Sequence, residues 1–148
     1  MVLLDQIEAL KARVAKLSTS IDVEQRRIDL QNEQERTEEP TFWDDPERAR
    51  QQLKRVAEIK AVIDDFEAAR RATEDLMLIP DFVEEGVLTE AEAEAQYSEA
   101  VSQVEALELK QMHQQIEQYK AKEAAGEAER ILFGAHEVGG LKVITATI

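Results

Sequence analysis

Asp44-Asp45-Pro46-Glu47 constrains this chain more than any other four residues. An aspartate side chain accepts hydrogen bonds from the free N–H groups of a first helical turn. Pro46 lacks an N–H that would be orphaned there anyway, and Glu47 sits at the positive end of the helix dipole. A helix therefore starts at Pro46. Leu53, Val56, Ile59 or Lys60, Ile63, Phe66 and Leu76 or Met77 keep helical spacing after it. The run predicts one helix over 46–79, about 50 Å long at 1.5 Å per residue. Composition agrees: aromatics, Gly and Pro are scarce, while Ala, Glu, Gln, Lys, Arg and Leu dominate. That mixture belongs to long helices or coiled coils, not to a sandwich or a dinucleotide-binding sheet. The 148 residues suffice for one ordinary domain. A long, thin helical assembly buries less apolar surface per residue than a sphere, so modest stability and dependence on partners are expected.

The formal net charge is −14. Phosphate neutralisation needs Lys and Arg, so the balance argues against direct nucleic-acid binding but leaves basic proteins, ribosomal ones included, as partners. There is no Cys, hence no disulfide framework and no thiolate chemistry, which fits a reducing, cytoplasmic setting. Asp5 and Glu8 interrupt what would be the apolar core of a signal peptide. No apolar run approaches the roughly 20 residues needed to span a bilayer.

Leu3, Ile7, Leu10, Val14, Leu17 and Ile21 recur at 4-3-4-3-4 spacing, the seam of a helix lying along another helix. Ser18-Thr19-Ser20 lowers helix propensity and Asp22 offers a cap for a fresh start, so a kink or two consecutive helices, 2–17 and 22–37, are expected. Pro40 breaks the helix. Phe42 and Trp43 then read either as a partner contact or as an aromatic cover over the end of the bundle. We favour the cover, because large aromatics usually supply burial in a chain that has few. The long helix opens basic, with Arg48, Arg50, Lys54, Arg55 and Lys60, whereas 81–108 carries no Lys or Arg and many Glu. Folded back as a hairpin, the acidic helix would neutralise the basic one.

The segment 80–86 ends the long helix and turns the chain. Thr89-Glu90-Ala91-Glu92 is a capping box in which Glu92 reaches back to Thr89. Tyr97, Val101, Val104 and Leu107 form one stripe, and Leu109, Met112, Ile116 and Tyr119 form another. The phase shift between Leu107 and Leu109 means that the contact changes there or the helix bends. Gly126 marks a weak helix end. Gly134, Gly139 and Gly140 read as turn residues, and 141–148 is β-branched and alternating, as in a strand. One strand needs a ladder partner: 131–133, a second chain (a homodimer through the strand), or a longer protein from which the segment is cut. A truncation or junction is favoured.

No constellation for catalysis stands out. His113 and Glu117 have metal-compatible i, i+4 spacing, but two ligands are too few and read as a solvated helix face. Gly139-Gly140 precedes a strand rather than a helix and has no following Lys-Ser/Thr, so it is no phosphate loop. Catalytic, cofactor-binding and metal residues are each expected to be none.

Asp22-Val23-Glu24-Gln25-Arg26-Arg27, the run from Pro40-Thr41-Phe42-Trp43 through Asp44-Asp45-Pro46-Glu47-Arg48-Ala49, and Leu107-Glu108-Leu109 carry a resemblance. Over about 2–112 the chain resembles the N-terminal helical domain of bacterial peptide chain release factor 2. The resemblance implies a helical lobe that reaches toward the GTPase-associated region, the stalk base, of the ribosome. The family's Gly-Gly-Gln loop for peptidyl-tRNA hydrolysis and its Ser-Pro-Phe loop for stop-codon reading do not occur in this chain, so no catalytic or codon-reading residue carries over. The tail, 119–148, is similar to the C-terminal region of alanyl-tRNA synthetase, and 137–142 to a later release factor 2 strand.

These readings converge on a mainly α chain: an elongated antiparallel helical bundle or coiled-coil hairpin with a short β tail. Its expected parts are a release-factor-like helical domain over 1–125 and a Gly-turn and strand tail over 126–148. The expected function is a docking module in translation termination acting through ribosome contact. The alternative is a structural coiled-coil or dimerisation protein.

Overall fold

The computed structural model describes residues 1–2 and 4–136, with side chains as far as residue 130. The described elements are helical: α1 (Leu4–Ile21), α2 (Val23–Arg36), a 3-10 turn (Phe42–Asp44), α3 (Pro46–Asp75), a 3-10 turn (Leu76–Leu78), α4 (Ile79–Glu84) and α5 (Glu90–His136). No strand occurs among the described residues. The strand expected at 141–148, and with it a dimer through that strand, lies outside them. Two compact units are present, Met1–Glu108 and Leu109–Ile148. The division falls inside α5, at the phase shift between Leu107 and Leu109.

In the first unit the α1 seam does what its spacing requires. Ile7, Leu10, Val14, Leu17 and Ile21 are all buried. They form one core with Val23, Phe66, Ala69, Leu76, Ile79, Ala93, Ala100, Val104 and Leu107. Helix directions follow from the contacts. Val2 lies beside Ile79 and Pro80, and Val14 beside Arg70 and Thr73, so α1 runs antiparallel to the second half of α3. The Met1 amino group pairs with Glu94 and Arg13 with Glu108, so α5 as far as Glu108 runs parallel to α1. Arg27 pairs with Glu67, and Gln52 Nε2 donates to the Glu33 carbonyl at 2.8 Å, which makes α2 antiparallel to α3.

Both strong start signals hold. Asp45 Oδ1 accepts from the Arg48 N–H at 3.2 Å, with Pro46 inside the first turn of α3. Thr89 Oγ1 accepts from the Glu92 N–H at 3.1 Å, and the Glu92 carboxylate reaches back to Thr89.

Other expectations need correction. The α1–α2 break is real, but Asp22 makes no side-chain cap. It takes a left-handed backbone, φ 56°, and the Arg26 Nε donates to the Ile21 carbonyl at 2.8 Å, satisfying an acceptor that the break would orphan. The long helix stops at Asp75, and Pro80 sits in the first turn of α4, where its missing N–H costs nothing. The chain then reverses at Gly86, φ +77°. The basic start of α3 is not answered by the acidic helix. Arg55 pairs with Glu33 of α2 and Arg50 with Glu47 of its own helix, because α2 lies against that half of α3. Gly126 does not end α5, which continues through Gly134 to His136; strong helix formers around Gly126 outweigh a glycine penalty of about 1 kcal/mol.

Candidate docking site

The turn between α2 and α3 is built by a run of short-range bonds. The Thr37 hydroxyl donates to the Gln34 carbonyl at 2.6 Å and closes α2. The Phe42 N–H donates to Glu39 O at 3.0 Å and the Asp44 N–H to Thr41 O at 3.1 Å, winding the aromatic pair into a 3-10 turn. The Asp45 cap then opens α3. Two rigid caps thus hold Phe42 and Trp43 between them.

The rings meet edge to face, with centroids 4.8 Å apart and an interplanar angle of 81°. That geometry sets the positive edge of one ring against the negative face of the other. Phe42 is half-buried, while Trp43 is 66% exposed. The cover reading therefore fails for Trp43. The core is completed without it, by the α1 seam and the α3 and α5 residues that face the seam. Beside Phe42 lies a hollow of about 340 Å³. Arg36 and Arg48 supply its cations and Glu39 and Asp45 its anions, with Phe42 on one wall and buried Ala49 beneath. Glu33 fastens this end: its carboxylate lies 3.7 Å from both Arg36 and Arg55.

Such a site offers an indole face, an indole N–H donor and mixed charge on a fixed frame. It suits recognition of a protein surface, where exposed aromatic and Arg side chains become anchors once covered. Among the described residues no group of three or more His, Asp or Glu is placed to hold a metal ion. His113 and Glu117 are exposed on α5. The same residues contain no helix long and apolar enough to cross a membrane.

Sequence reading found Phe42, Trp43 and the Asp45 cap. It missed Arg36, Glu39 and Arg48 as neighbours of Phe42. Their meeting depends on how the chain reverses between two helices, and the only sequence hint was a helix-ending Arg36 before Pro40. It also read Leu109, Met112, Ile116 and Tyr119 as a second seam. They are exposed, at 55%, 55%, 44% and 66%.

Fold and site define a mainly α protein whose aromatic turn leaves Trp43 exposed rather than folded into the core. Comparison with known proteins places a likeness beside that class. Over 108 residues, 72% of this chain, it is 24% identical to peptide chain release factor 2 of Streptomyces avermitilis. It is 28% identical over the same length to peptide chain release factor 2 of Corynebacterium diphtheriae. The matched region spans less than a third of these curated relatives, 29% and 28% of their lengths. No known family pattern matches the chain, and no solved structure matches it. The two relatives support the release-factor-like character of the helical region. The likeness of 119–148 to alanyl-tRNA synthetase gains no support from them.

Proposed function

We propose that this chain is a helical docking module of a release-factor-like protein, serving translation termination in the cytoplasm by contact with the ribosome. The reading gives it no peptidyl-tRNA hydrolysis and no stop-codon reading of its own. The observation that carries the docking role is Trp43, 66% exposed yet held by Phe42 and two helix caps. A bare indole costs solubility, and a partner that covers it buries apolar area at little entropic cost because the turn is bonded at both ends. The likeness to two release factors supports the ribosome as the partner in this reading. The stalk base, with its GTPase-associated region, is the surface we assign. The site's mixed charge and the acidic chain fit a protein component there better than rRNA phosphate.

Co-sedimentation with ribosomes tests the proposal. The wild-type chain pellets with them, and Trp43→Ala loses at least tenfold in affinity with unchanged helix content. A wild-type chain that stays in the supernatant overturns the ribosome reading. Equal pelleting by Trp43→Ala keeps the ribosome but removes the aromatic site. A second reading, a coiled-coil dimerisation protein, is favoured by one observation, the open stripe on α5.

A further inference from the structure

The whole net charge of this chain sits in one of its two units. Met1–Glu108 holds 27 acidic residues against 13 Lys and Arg, a net of −14. Leu109–Ile148 holds 5 of each, a net of zero. Exposed apolar side chains of the first unit, such as Leu4, Ile28, Trp43 and Leu53, lie on separate elements, whereas those of the neutral unit share one helix. Leu109, Met112, Ile116 and Tyr119 follow 3-4-3 spacing, so they lie on one face of α5, and all four are exposed. Away from a partner, a single helix draws little stability from its own backbone, because most helical stability in proteins comes from packing an apolar face.

We propose that this stripe pairs with the same stripe of a second copy, antiparallel, around a two-fold axis near Gln114. Charge selects both occupant and direction. A self-pairing of the neutral segment carries no net repulsion of its own. Parallel pairing would bring two units of −14 to the same end; antiparallel pairing sends them to opposite ends. The antiparallel register also sets Leu109 against the second copy's Tyr119 and Met112 against its Ile116. It brings Lys120 and Lys122 of each copy toward Glu105 of the other, opposite charges beyond the end of an apolar seam. The seam covers about three helical turns, roughly 15 Å, so the dimer is weak and forms in the range of about 10 µM to 1 mM. The apolar seam of this association lies in the second unit, and the association is independent of ribosome contact.

Sedimentation velocity over that range, at moderate salt, tests it. The wild-type chain shifts from monomer to dimer with concentration. Ile116→Lys, at a solvent-facing position, keeps its helix content and stays monomeric. Ile28→Lys, an equally exposed apolar position on α2 at 50%, dimerises as the wild type does. A wild type that is monomeric throughout overturns the proposal, as does a dimer untouched by Ile116→Lys, which would place the interface elsewhere. The chain has no Cys, so single spin labels at Gln114→Cys and Ala121→Cys report direction. Antiparallel pairing makes the Ala121 pair the longer, its labels offset by about 20 Å along the axis. Equal distances at the two positions would overturn the antiparallel arrangement.

Discussion

Asp22 shows how much one backbone angle decides. With φ at 56° it occupies the left-handed region that costs an ordinary L-residue about 1 kcal/mol or more. Its side chain makes no compensating cap. Asp22→Gly removes that strain and is expected to be neutral or to stabilise the chain by up to about 1 kcal/mol, read as a higher urea midpoint. Asp45 is the opposite case, because its carboxylate answers a real orphan N–H. Asp45→Ala is expected to lower stability by about 1 kcal/mol, seen as an earlier thermal transition. Trp43→Ala should move stability by no more than about 0.5 kcal/mol, since the ring is mostly in solvent. A large loss there in chemical denaturation would mean that the ring covers core after all.

At the scale of elements, helix α1 organises the first unit. It places five buried side chains along α3 and α5, with Ile7 and Val104 fully enclosed. Ile7→Ala is expected to cost about 3 kcal/mol, a lost side chain plus the cavity left behind. Denaturant titration measures it. Ion pairs then pin the register. A hydrogen bond from Arg13 holds the Glu108 carboxyl below its ordinary value near 4.5. Bonds from Arg70, with Arg27 adding to them, do the same for Glu67. A lowered folded-state value means that this stabilisation is complete above the unfolded value and is lost as pH falls through the lower, folded one. Stability should therefore fall on acidification below about pH 4.5. Arg13→Ala should flatten that acid limb. Because Glu108 is about a third exposed, the pair contributes only about 0.5 kcal/mol. Thermal melts of both chains across pH 3–6 check the sign.

The molecule as a whole is polarised in charge. All of the −14 lies in the unit that also holds the described core, so folding there works against self-repulsion. Added salt in the physiological range is expected to raise the melting temperature of the full chain by a few degrees through screening. A melting temperature independent of salt would mean that local pairs such as Arg27–Glu67 already offset the repulsion.

Residue order alone specified the helices, because periodicity and caps are local. The α1 seam, the Asp45 cap and the Thr89–Glu92 box need only near neighbours to declare themselves. The phase shift at Leu107–Leu109 was equally legible, and the division between the two units falls on it. What sequence could not reveal is which apolar groups find a partner. Trp43 and Ile116 are as hydrophobic as Phe66 and Val104, yet the first two face water and the last two the core. Nor could it pair the charges: Glu33, not the acidic helix, answers Arg55. Burial and long-range pairing depend on which helix lies where, a property of all the contacts at once, and only the tertiary structure decides it.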